Sequence, residues 1–247
     1  MIGVFDSGVG GLSAFLALAR ALPETDLAYY ADSAHLPLGE RSAEEIRALV
    51  LTGVCALEAM GATRVLLACG TASAVALSKC KQTFTFPVYG ILEAGCKAAA
   101  EASKNGRIAV IATPATIRSH AYGVGIRALR PEALVTELAC PALVAAAETG
   151  DLSAVKAALS PLSGVQADTL ILGCTHFPLL REAIGRELPT ARLIDPAALT
   201  ADHLVSLCRE DPQKETGQRA LFTTGDPLSF AKRAEALFGC RLCPMKL

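Results

Sequence analysis

The 247-residue sequence has no tryptophan, three methionines and few aromatic residues, 5% in all. Charged residues make up only 19%, and neither sign is in excess: 23 Lys+Arg face 24 Asp+Glu, a net charge of −1. A protein that neutralises several phosphates shows a basic patch or stripe, so this balance argues against nucleic acid as a partner. Long apolar runs are missing too. A membrane-spanning helix needs about 20 mostly apolar residues. Stretches such as 108–112 and 143–147 end far sooner, although the mean hydropathy is +0.40. The first residues, Met-Ile-Gly-Val-Phe-Asp, have neither the basic start nor the apolar region of a signal peptide and read as a β-strand. The expectation is a cytoplasmic protein with no membrane partner. Cysteine, by contrast, is plentiful. The nine cysteines are odd in number and scattered, which favours free thiols in a reducing compartment over a disulfide framework. The length accommodates a hydrophobic core without staples, in one large domain or two smaller ones.

Short apolar runs alternate with helical patterns. Residues 2–5, 27–30, 65–68, 88–91, 108–112, 134–136, 169–172, 192–194 and 220–223 read as strands. Most are continuously apolar, as expected where a parallel sheet is covered on both faces. Residues 42–60 form the clearest helix. Ile46, Leu49, Val50, Val54, Leu57 and Met60 make one stripe, and Ser42 with Glu45 has capping-box spacing. The alternation predicts an α/β fold with parallel sheets.

A faint duplication runs through the chain. VLLACGT surrounds Cys69 and LILGCT surrounds Cys174, each a buried strand ending in a cysteine with a threonine nearby. Nearly the same spacing separates Asp6 from Cys69 as Thr113 from Cys174. Ligands of open α/β sheets bind outside the C-terminal strand ends. The fold class expected is therefore two similar parallel-sheet α/β units facing each other across a cleft with pseudo-twofold symmetry. Their expected extents are 1–92 plus 209–247, carrying Asp6 and Cys69, and 93–208, carrying Cys174 and His176. The polar stretch 209–219 reads as a return connection.

The turn Asp6-Ser7-Gly8-Val9-Gly10-Gly11 follows the first strand. Ser13 stands where a dinucleotide loop would have its third glycine, and the Lys-Ser/Thr of a phosphate loop is lacking. Asp6 then either points into the cleft with Ser7 or caps the next helix. Cys69 and Cys174 each sit at a strand-to-helix junction, where a helix N-terminus is expected to lower a thiol's pKa. His176 adds an imidazole two residues from Cys174. Cys240-x-x-Cys243 supplies only two of the usual four zinc ligands and no second pair follows, so no metal site is expected. Cys55, Cys80, Cys96, Cys140 and Cys208 read as packing residues, and His35 as a turn histidine.

The motifs FDSGVGGLS (5–13), LACGTASA (67–74), ATPATIRSHAY (112–122) and LGCTHFPLL (172–180) together resemble the cofactor-independent glutamate racemases, in matching order and spacing over almost the whole chain. ADSAHLPLGERS (31–42) and CPALVAAAETG (140–150) resemble two further segments of that family. The resemblance implies an isomerase of a small amino acid, supplying D-glutamate for peptidoglycan. It implies Cys69 and Cys174 as the paired acid/base groups, tuned by Asp6 and His176, with Glu148 as a further acidic residue. Ser7, Gly70, Thr71, Thr113, Thr116 and Thr175 are implied substrate contacts, with Pro37, Leu38 and Gly39 lining the pocket. No cofactor is implied, and a homodimer is the family's common state. The chemistry agrees with the pair: racemisation removes the Cα proton from one face and returns one to the other, so an acid/base group is needed on each side.

Two positions depart from the family pattern. Gly70 stands where Cys-Asn-Thr is usual, and Leu38 where Pro-Tyr-Gly is usual. A hydrogen bond from the missing amide to a carboxylate is worth roughly 1.5–3 kcal/mol. Two alternatives follow: a racemase of aspartate or another acidic amino acid, and a ligand-binding member with weakened turnover.

Overall fold

The computed structural model describes residues 1–149, 151–210 and 216–247. Among the described residues, ten strands form two all-parallel sheets. They are β1 (Ile2–Asp6), β2 (Leu27–Ala31), β3 (Arg64–Leu67), β4 (Val88–Gly90), β5 (Arg107–Ala112), β6 (Leu134–Ala139), β7 (Thr169–Leu172), β8 (Arg192–Ile194), β9 (Arg219–Thr223) and β10 (Met245–Lys246). The first sheet has the order β10-β9-β2-β1-β3-β4 and the second β6-β5-β7-β8. Within the first sheet, β2-β1-β3-β4 repeats the order of the second strand for strand. The duplicated motifs thereby become equivalent places: Cys69 follows β3 and Cys174 follows β7.

The interior strands are apolar on both faces because both are covered. Along β1, Val4 packs with Leu12, Phe15 and Leu18 on one side, and Phe5 packs with Ile46, Val50 and Leu57 on the other. Along β5, Ile108 and Val110 join Tyr122 and Ile126, while Ala109 and Ile111 join Leu143, Leu172 and Phe177. The helix Ala43–Ala59 starts at the expected capping box: Ser42 Oγ accepts from Glu45 N–H at 3.2 Å, and Glu45 accepts from Ser42 N–H at 3.0 Å. Among the described residues, no helix is long and apolar enough to cross a membrane.

The differences from the sequence reading are local. The strand read as 88–91 ends at Gly90, and Ile91 opens the helix Ile91–Ala102, which leads from the first sheet to the second. The strand read as 134–136 continues to Ala139, along the full length of β5. The helix Pro196–Glu210 takes up the first residues of the stretch read as a connection, and 211–215 lie outside the described residues. That helix packs with Leu12, Phe15 and Leu18 of the first unit through Ala197, Ala201 and Leu204. The short β10 beside β9 had no signal in the sequence. Cys80, Cys96, Cys140 and Cys208 are buried as expected, but Cys55 is exposed, on the outer side of its helix.

Candidate active site

Strand-end turns and loops of the two units meet at one cavity of about 70 Å³. Ser7, Pro37, Leu38, Gly39, Cys69, Gly70 and Thr71 reach it from the first unit, and Thr113, Cys174, Thr175 and His176 from the second. A larger, open groove of about 810 Å³ runs along the helix Ile91–Ala102, but none of its lining residues is a cysteine.

The first thiol is set by the end of β3. Cys69 is the N-cap of the helix Gly70–Thr83, and the Ser7 hydroxyl stands 3.6 Å from its sulfur. Asp6, fully buried at the end of β1, is aimed elsewhere. Its Oδ1 accepts from Gly8 N–H at 2.8 Å, and its Oδ2 accepts from the Thr175 hydroxyl of the other unit at 3.3 Å. The Tyr29 hydroxyl, donating to the Gly8 carbonyl at 2.8 Å, holds the same turn from below. Asp6 thus ties the two units together, and Ser7 is the polar group beside the thiol.

The second thiol stands 3.8 Å from His176 Nδ1. On the far side of the ring, His176 Nε2 is 3.2 Å from Glu148 Oε1. That is an ion-pair distance, but the N–H is not directed at the oxygen, so the buried Nε2 makes no hydrogen bond. Glu148 Oε2 is paired in turn with Arg233 Nη1 at 3.1 Å. Three hydroxyls form a cluster from the two units: Thr71 Oγ1 to Thr113 Oγ1 is 2.8 Å, and Thr113 to Thr116 is 3.0 Å.

The two sides differ electrostatically. Burial first, and then the Asp6 charge, push the Cys69 thiol up to about 12, against the pull of Ala72 N–H and Ser7. The expectation that the helix N-terminus lowers this pKa is corrected. Desolvation outweighs the helix end because the sulfur is nearly sealed from water. Burial also raises Asp6, partly offset by the bonds from Gly8 and Gly11, the His176 charge and the Thr175 bond. At His176, burial disfavours the cation. Contact with Cys174 and Glu148, together with the charge of Asp6, outweighs that and raises the imidazole to about 10. Glu148 is held low by His176 first, and also by Arg233. At neutral pH the site therefore holds a protonated thiol at Cys69 and a cationic imidazole beside Cys174.

Close backbone approach explains two of the expected pocket residues. A Cβ on Gly70 would collide with the Gly173 carbonyl oxygen across the cleft, and one on Gly39 would lie 2.5 Å from Thr113 Cβ. Both glycines let the first unit close on the second. Leu38 is buried with Phe5, Tyr30 and Cys69, so the position that departs from the family pattern is an apolar wall. Pro37 is exposed at the mouth. His35 sits at the base of this loop, with Nδ1 2.7 Å from the buried Asp32. Leu36, Pro141 and Val144 also line the cavity, and Arg233 closes the line behind His176. Leu36 lies within the segment 31–42 and Pro141 and Val144 within the segment 140–150, whereas Arg233 belongs to no recognisable motif because it comes from a separate helix, Pro227–Phe238.

Residues 6–204 match the sequence profile of the family described as Asp/Glu/Hydantoin racemase. The chain belongs to that racemase family. A glutamate racemase from Symbiobacterium thermophilum is 40% identical, over 98% of this chain and 90% of that one. Among solved structures, a glutamate racemase isoform from Bacillus anthracis superposes with a TM-score of 0.93 at 35% identity, covering 100% of this chain and 97% of that one. A glutamate racemase from Francisella tularensis, solved in complex with D-glutamate, gives 0.88 at 31% identity, over 98% and 95%. As a member of the racemase family, the chain has an isomerase fold in which two cysteines on separate sheets share one cavity.

Proposed function

We propose that the chain interconverts L- and D-glutamate by a two-base mechanism. The observation that carries this reading is the sharing of one cavity by Cys69 and Cys174, each brought by its own α/β unit. In one direction the Cys174 thiolate takes the Cα proton, and the Cys69 thiol delivers its own to the opposite face. The reverse direction exchanges the roles, so each turnover leaves the enzyme in the mirrored protonation state. The protonated Cys69 and the cation beside Cys174 suit the first of these directions. His176 acts on Cys174 with Glu148 behind it, while Ser7 acts on Cys69 by contact and Asp6 through its charge.

Ser7, Gly70, Thr71, Thr113 and Thr175 contact the substrate, with Pro37, Leu38 and Gly39 closing over it, and the buried Thr116 acts through its bond to Thr113. Among the described residues, no Lys or Arg lines the cavity. Hydroxyls and the N-terminal N–H groups of the helix Gly70–Thr83 are then the groups that receive the carboxylates. The same donors stabilise the charge that develops as the Cα proton leaves, in a site closed to bulk water. A division into 1–92 plus 209–247 and 93–208 gives each unit one sheet, although the helix Pro196–Glu210 packs on the first unit. A cytoplasmic homodimer supplying D-glutamate for peptidoglycan completes the reading.

The test is incubation of the purified protein in D2O with L- or D-glutamate, without added pyridoxal phosphate. Interconversion with deuterium uptake at Cα is expected. Absence of both would sink the assignment. Leu38 and Gly70 support one second reading, another acidic amino acid such as aspartate. Faster exchange with aspartate in the same assay would favour it, and tight binding of glutamate without exchange would mark a ligand-binding member instead.

Gly70→Ala is expected to lower kcat/KM by about tenfold to a hundredfold with the fold retained. A displacement of the Cys174 turn by the added methyl misplaces the reacting groups. Unchanged kinetics would show that the turns have slack to spare.

A further inference from the structure

Glu148 lies on the helix Pro141–Thr149, which packs on the second sheet through Leu143 and Ala146. Arg233 lies on the helix Pro227–Phe238, which packs on the first through Phe230 and Ala234. The line Arg233–Glu148–His176–Cys174 therefore crosses from one unit to the other. It also runs from solvent to the buried thiol: side-chain exposure falls from 46% at Arg233 to 21% at Glu148 and 4% at His176.

We propose that Arg233 is a positioning residue for the chemistry at Cys174, aligning Glu148 behind His176 from the opposite α/β unit. The proposal rests on the racemase reading above. Glu148 has two oxygens and a partly exposed side chain. With His176 alone, the carboxylate could turn toward water and leave the imidazolium without its counter-charge. Arg233 holds the second oxygen and removes that freedom. Because the two partners are rooted in different units, the contact also depends on how those units are set about the cavity. Among the described residues, the Cys69 side has no such line; Ser7 stands beside the thiol and the buried Asp6 acts through its charge.

The test is a double-mutant cycle on the full chain, reading kcat/KM for glutamate and thermal unfolding. Arg233→Ala is expected to lower kcat/KM by about tenfold with the unfolding temperature nearly unchanged. Arg233→Lys keeps a cation within reach and is expected to recover most of that loss. In a Glu148→Gln background, Arg233→Ala is expected to cost less than about twofold, because its partner is already gone. A full loss in both backgrounds, no recovery with lysine, or no loss at all would overturn the proposal. Wild-type protein with no exchange activity would instead overturn the racemase reading, so the two failures are separable.

Discussion

Cys69→Ser and Cys174→Ser each lower kcat/KM for glutamate by about a thousandfold or more, while both variants fold normally. Removing a positioned acid/base group costs typically about 10²–10⁴ in rate, and a hydroxyl is a far poorer base than a thiolate. The loss is the same in the L-to-D and D-to-L directions for each variant. The two enantiomers have equal free energies in water, so the overall equilibrium constant is unity and the two kcat/KM values must stay equal whichever thiol is lost. The asymmetry between the thiols shows in exchange instead. Each surviving cysteine faces one side of Cα, so residual deuterium uptake is confined to one enantiomer in one variant and to its mirror image in the other. Rate assays in both directions with mass-spectrometric detection of deuterium check both statements. Near-normal turnover by either variant would rule out the paired-thiol mechanism.

His176→Asn lowers kcat/KM by about a hundredfold, and wild-type activity shows no loss near the ordinary imidazole pKa of about 6.5. The ring is buried, yet contact with Cys174 and Glu148 and the charge of Asp6 raise it to about 10. It is therefore a standing cation through the neutral range, and the asparagine removes that charge from beside the sulfur. The same shift links to stability. A group whose folded pKa lies above its unfolded value stabilises fully below the unfolded value and loses that contribution as pH rises through the folded one. The stability advantage of wild type over His176→Asn is expected to be largest below about pH 6.5 and to fall toward pH 10. Chemical denaturation across that range measures it. A midpoint near 6.5 in the wild-type pH–rate profile, absent from His176→Asn, would show an ordinary imidazole and defeat the argument.

Features governed by neighbours along the chain were legible before any coordinates. Ser42 and Glu45 announce a capping box because both partners lie within one helical turn. The runs at 2–5, 108–112 and 169–172 announce covered strands because a strand's two faces are written in consecutive residues. Cys69 and Cys174 stand out because each ends such a run, and the repeated strand order makes those ends equivalent. The threonines at 71, 113 and 175 come from such strand-end turns, and for that reason appear together in the cavity, while Thr116 is buried behind them, bonded to Thr113.

Groups whose neighbours lie far along the chain were not legible. Asp6 turns to Thr175 and leaves Ser7 beside Cys69, and no local pattern distinguishes those two arrangements. Arg233 reaches Glu148 only because two helices from different units meet. The Cys69 thiol shows the difference most sharply. Its place at a helix N-terminus is local and argues for a lowered pKa, yet its surroundings raise it to about 12. Backbone dipoles act within one turn and can be read from the chain order. Desolvation and the charge of Asp6 depend on every segment that closes over the sulfur, and those come together only when the two sheets are packed.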